Sequence, residues 1–120
     1  MAGERDLARL LETLNPNLHS DRYSFTVADK PTLQDDQFAL VREEEGLTLI
    51  RPHAEGEWAR ISLGVLSSLE AVGLTAVLSS WLADAGISAN IVAGLHHDHL
   101  FVPWDRREDA LAILLRGSGA

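Results

Sequence analysis

The sequence predicts an α+β fold in which one antiparallel sheet carries its helices on a single face. Two observations lead there. From Trp58 onward, the hydrophobic spacing reads strand, helix, strand, strand, helix, a split βαβ pattern that lacks only a final strand. Within it, Ile61, Leu63 and Val65 alternate with Arg60, Ser62 and Gly64, the mark of a strand with one apolar face.

The elements follow in order. Leu7, Leu10, Leu11 and Leu14 recur at helical spacing, and Asn15-Pro16 stops that helix because proline disfavours a helical residue before it. Tyr23, Phe25 and Val27 alternate with polar neighbours as a strand. Residues 28–37 are polar, contain Pro31 and read as a loop. Residues 38–43 and 47–51 form two strands joined by Glu44, Glu45 and Gly46, where Gly46 supplies the positive φ of the turn. Pro52 ends the second of them.

Residues 67–73 read as a loop. Leu74, Val77, Leu78, Trp81, Leu82 and Ala85 then make the cleanest helical stripe, capped by Gly86. Residues 89–95 and 99–103 are strands separated by a turn at His96, His97 and Asp98. Asp105 reads as the N-cap of the last helix, with Glu108 completing a capping box, and Leu111, Leu114 and Leu115 form its buried stripe. The chain divides into an N-terminal half, 1–57, of one helix and three strands, and a C-terminal half, 58–120. One N-terminal strand is expected to complete the C-terminal sheet or to extend it side by side.

Composition narrows the function. The 120 residues carry no cysteine, which excludes disulfides, thiolate metal sites and a cysteine nucleophile. Ten basic against eighteen acidic side chains give a net charge of −8, which disfavours nucleic acid and anionic membranes as partners. No basic segment precedes an apolar run at the start, and no apolar stretch approaches the roughly 20 residues of a membrane helix, so a cytoplasmic protein is expected.

The segment Ser67-Ser68-Leu69-Glu70-Ala71-Val72-Gly73-Leu74-Thr75, with residues 85–94 (AGISANIVAG) after it, resembles a small family of bacterial ACT-domain proteins. His97-Asp98-His99-Leu100-Phe101-Val102-Pro103 and the upstream run 41–49 (VREEEGLTL) strengthen the resemblance, which covers about residues 6–115. That family looks similar to the ACT modules of aspartokinase and of cytosolic arginine sensors. The resemblance implies a ferredoxin-like (ACT-like) fold, with two ACT-like halves or an extended sheet. It also implies a regulatory rather than catalytic role, a small-molecule ligand such as an amino acid, and side-by-side pairing in a homodimer. By the same resemblance the ligand sits against the loop and helix start Ser67, Ser68, Glu70, Val72, Gly73, Leu74 and Thr75, and the strand positions Asn90, Val92 and Gly94.

Those residues suit such a ligand physically. A helix N-terminus offers free N–H groups to a carboxylate, and Gly73 allows close approach of the backbone. Glu70 or Asn90 would accept from an ammonium. Asn90, Val92 and Gly94 share one strand face. The competing reading makes Gly73 a turn residue, Ser68 or Thr75 a helix cap, and Asn90 a local backbone partner.

The His96–His99 cluster is the loudest local signal, since His97 and His99 point to one side of a strand. No fourth ligand lies at metal-site spacing and His19 and His53 are remote in sequence, so the histidines are read as satisfying nearby polar groups, with Asp98 making the turn. Trp81 belongs to the core stripe, while Trp58 and Trp104 lie near strand ends. No Gly-x-Ser-x-Gly elbow, dinucleotide fingerprint or Walker lysine loop is present, so neither catalysis nor a cofactor is expected. The rival to a ligand sensor is an assembly module that pairs through its sheet edges.

Overall fold

The computed structural model describes residues 6–66 and 71–119. Helix α1 (Leu7–Glu12) starts at Asp6, whose carboxylate accepts from the Ala8 N–H. Asn15, at φ 48°, turns the chain into β1 (Pro16–Val27). The hairpin β2 (Ala39–Glu43) and β3 (Gly46–Pro52) follows, with Gly46 at φ 141°. Next come β4 (Trp58–Leu63), α2 (Leu74–Asp84), β5 (Asn90–Ala93) and β6 (Asp98–Pro103). A 3₁₀ turn (Trp104–Arg106) leads into α3 (Arg107–Gly117).

The six strands form one antiparallel sheet in the order β2-β3-β1-β4-β6-β5. Within it, β1-β4-β6-β5 is the ferredoxin-like arrangement, with β1 standing where the missing last strand belongs. An N-terminal strand thus completes the C-terminal sheet, and β2 and β3 extend it.

The three helices among the described residues pack on one face. Leu10 and Leu14 from the α1 segment, Leu74, Leu78 and Leu82 from α2, and Ala110 and Leu114 from α3 meet Ala59, Ile61, Leu63, Leu100 and Val102 from the sheet. The α2 stripe works because its buried leucines recur every fourth residue and so stay on one side of the helix. Gly86, at φ 72°, ends it as expected. The opposite sheet face holds a smaller cluster of Tyr23, Ile50 and Phe101, with Phe38, Trp58 and Val92 packed against it.

Several local expectations change. β1 begins at Pro16, well before Tyr23, and β4 ends at Leu63 rather than reaching Val65. The β5–β6 turn is closed by the Gly94 N–H donating to the His97 carbonyl at 2.9 Å, so Asp98 opens β6, buried at 8% exposure, instead of making the turn. Asp105 is not the cap of α3. The fixed φ of Pro103 leads into the 3₁₀ turn, Asp105 falls inside that turn, and Arg106 takes the cap position without a side-chain cap bond. No helix among the described residues is long and apolar enough to cross a membrane.

Candidate functional site

The polar side of β4 faces away from the helices. Its apolar residues Ala59, Ile61 and Leu63 fill the core, so period-2 alternation turns Arg60 and Ser62 to the open face. Antiparallel pairing sets His99 of β6 directly opposite Ser62. On the other side, the β1–β4 register slips between the Leu18–Ile61 and Arg22–Ala59 pairs. Such a bulge re-aims side chains, and His19 lies within it.

The result is a four-residue cluster. His19 Nε2 lies 2.8 Å from Ser62 Oγ, and His99 Nδ1 lies 2.7 Å from the same oxygen. Arg60 donates to that oxygen through Nε at 3.2 Å and to the Tyr23 hydroxyl through Nη1 at 3.0 Å. Phe38 lies across the cluster, with its ring centre 5.0 Å from that of His99. With its hydroxyl held by three partners, Ser62 is an anchor point and not a free nucleophile.

His19, Arg60, Ser62 and His99 line an open cleft of about 430 Å³ on β1, β4 and β6. Asn15 and Asn17 border it on the β1 side, and His97 on the β6 side. Among the described residues, none that lines the cleft is acidic, although the chain has eighteen acidic residues against ten basic ones. Burial, then the Arg60 charge, then His97 and His19, lower His99 from its ordinary 6.5 to about 4. Burial and Arg60 also lower His19, against the opposing pull of Asp21. At neutral pH the cleft therefore sets the positive charge of Arg60 beside the neutral imidazoles of His19 and His99. Among the described residues, no group of three or more potential metal ligands converges.

Ser67, Ser68 and Glu70 lie outside the described residues. Gly73 is the N-cap of α2 at φ 96°. Leu74 is buried in the core, Thr75 lies on the exposed side of the first turn and Val72 is 82% exposed. Asn90 is exposed on the edge strand β5, Val92 packs into the aromatic cluster opposite His99, and Gly94 closes the turn. Val92 pairs with His99, a lining residue of the cleft, and the Val65 carbonyl lies 3.2 Å from the Nδ1 of His97, another lining residue.

Sequence reasoning passed over Arg60, Ser62 and His19. The signal for the first two was the polar half of the β4 alternation. His19 stands 43 residues from Ser62, and nothing local pairs them. His97 and His99 do line one cleft, as their spacing predicted.

Two family profiles, each described as ACT domain, match residues 2–68 and 53–116. A search of curated proteins gave no match. Among solved structures, a Vibrio cholerae protein of unknown function, described as a possible transport protein, is 36% identical, with a TM-score of 0.78 over 93% of this chain and 95% of that one. An Agrobacterium tumefaciens protein is 15% identical with a TM-score of 0.70 over 88% of this chain and 89% of its own. The ligand-free regulatory subunit of aspartate kinase from Thermus thermophilus is 10% identical with a TM-score of 0.64, covering 88% of this chain and 97% of that one. The last two share the fold, and the profiles match the sequence itself across both halves: this chain belongs to the ACT-domain family.

Proposed function

We propose that this chain is a regulatory module, without catalytic activity, that binds a small carboxylate-bearing ligand, an amino acid, in the cleft between β1, β4 and β6. The observation that carries the reading is an arginine in a cleft that has no acidic residue among its described lining residues, on a strongly acidic protein. A buried or half-buried carboxylate needs a partner, and a guanidinium provides two parallel donors. The side-chain carbonyls of Asn15 and Asn17 would accept from the ammonium. The chain lines the cleft as far as Gly64, and the sequence positions 67–75 that follow, with Asn90, Val92 and Gly94 of β5, are proposed to respond to occupancy. A cytoplasmic setting, consistent with the absence of cysteine, belongs to the same proposal.

The test is a thermal-shift screen of the standard amino acids against the wild type and Arg60→Gln. A ligand at 100 times its Kd stabilises the fold by about 2.7 kcal/mol. The reading expects a hit that the substitution removes. A flat screen, or a hit that Arg60→Gln leaves intact, would sink it.

A specific observation also favours the assembly reading. Phe25, Val27 and Val41 are exposed at 37%, 85% and 44%, and Val27 and Val41 both pair with Thr48, which sets them in one cross-strand row. Such a row suits a second copy of the chain. Sedimentation at several concentrations decides it: a monomer throughout would remove this reading.

A further inference from the structure

Three partners meet on one hydroxyl in the cleft: His19, His99 and Arg60 all bond Ser62 Oγ. A hydroxyl has one proton to give and two lone pairs to offer. Arg60 occupies one lone pair at every accessible pH, because a guanidinium keeps its protons. The remaining proton and lone pair serve the two imidazoles. One ring accepts from Ser62, and the other donates to it. The donating ring gains a proton on its far nitrogen without disturbing this bond. The accepting ring cannot, because a proton there would set two hydrogens face to face. The chain therefore has room for one extra proton and resists a second.

We infer that the cleft takes up its anionic ligand together with one proton, held on the His19–Ser62–His99 chain. This rests on the reading of the cleft as a carboxylate site. The charged and titratable groups around it come from three elements. β1 brings His19, Asp21 beside it, and the Tyr23 hydroxyl on Arg60; β4 brings Arg60; and β6 with the turn before it brings His99 and His97. In the free protein burial opposes charge on either ring, and Arg60 adds to that. An anion against Arg60 reverses the local field, and the donating imidazole then becomes a second positive charge on the ligand. One proton per ligand makes the affinity rise at most about tenfold for each unit of falling pH.

Sulfate is a suitable probe, because its charge stays constant over the range in which histidines titrate. The ring resonances of His19 and His99 and the Arg60 Nε–H signal are followed against pH with sulfate and with chloride at equal ionic strength. The inference expects sulfate to move the Arg60 signal and to raise the first ring midpoint by about one pH unit or more. It further expects a second midpoint that stays low, and loss of both effects in Arg60→Gln. In Ser62→Ala the constraint is gone, and the two rings should titrate independently. If sulfate moves the Arg60 signal and both midpoints stay put, proton uptake is refuted while the anion site stands. If sulfate moves neither, the anion site itself falls. If both rings rise together in the wild type, the one-proton limit is wrong.

Discussion

The guanidinium of Arg60 lies over the ring of Phe38, with Cζ 4.3 Å from the ring centre. Phe38 thus fixes from above what Tyr23 and Ser62 fix through hydrogen bonds, and it shields the arginine's plane from water. Phe38→Ala should cost about 1–2 kcal/mol of stability, from lost apolar burial and the cation–π contact. It should also weaken anion binding by about tenfold, as Arg60 gains freedom. Urea unfolding and calorimetric titration of the same variant separate the two effects.

The lowered affinity of His99 and His19 for protons makes folding sensitive to acid. Both rings are neutral in the folded state where an unfolded chain would charge them, so between about 6.5 and about 4 the unfolded state binds more protons. Stability therefore falls as pH drops through that window. His99→Gln removes one contribution and should flatten the dependence. Urea midpoints measured from pH 7 down to pH 4 for both proteins give the comparison; identical slopes would refute it.

Gly56 sits under the backbone of β1. A Cβ there would lie 2.3 Å from the Tyr23 carbonyl oxygen, and its own carbonyl accepts from Arg22 Nε at 2.7 Å. The backbone of a central strand has little room to yield, so Gly56→Ala should destabilise by about 1–3 kcal/mol. Because Tyr23 holds Arg60, the variant should lose anion binding even where it folds. A normal melting temperature with normal binding would contradict this.

Gly73 behaves differently. It needs its positive φ of 96°, yet a Cβ would meet only Leu7 Cδ2 at 3.4 Å. Gly73→Ala should cost about 1 kcal/mol through backbone strain and leave the fold intact. Circular dichroism and thermal melts check this, and a ligand titration on the folded variant tests the proposed role of the 67–75 loop.

Much of the fold was legible because it obeys short-range periods. The leucines of α2 and the alternation of Ile61 and Leu63 report their own faces. The first part of β1 was not legible. Asn17, His19, Ser20, Asp21 and Arg22 show no apolar alternation, since the bulge breaks the pleat there and one side of the strand faces the cleft. The site was hidden for a related reason. Ser62 lies 43 residues from His19 and 37 from His99, and only the β1-β4-β6 neighbourhood brings them together. The capping box failed because Asp105 and Glu108 have the right spacing, but Pro103 starts a tighter turn first.

The long strand β1 pairs with β3 along one edge and with β4 along the other. Neither half of the sequence owns a finished sheet without it. Cutting the chain near residue 57 would strip β4 of its neighbour and leave its N–H and C=O groups exposed on that side. The two halves should therefore melt in one event, and neither should survive as a separately expressed fragment. A ligand bound at the proposed cleft would act directly on β1, since the strand that carries His19 at one end carries the aromatic face at the other.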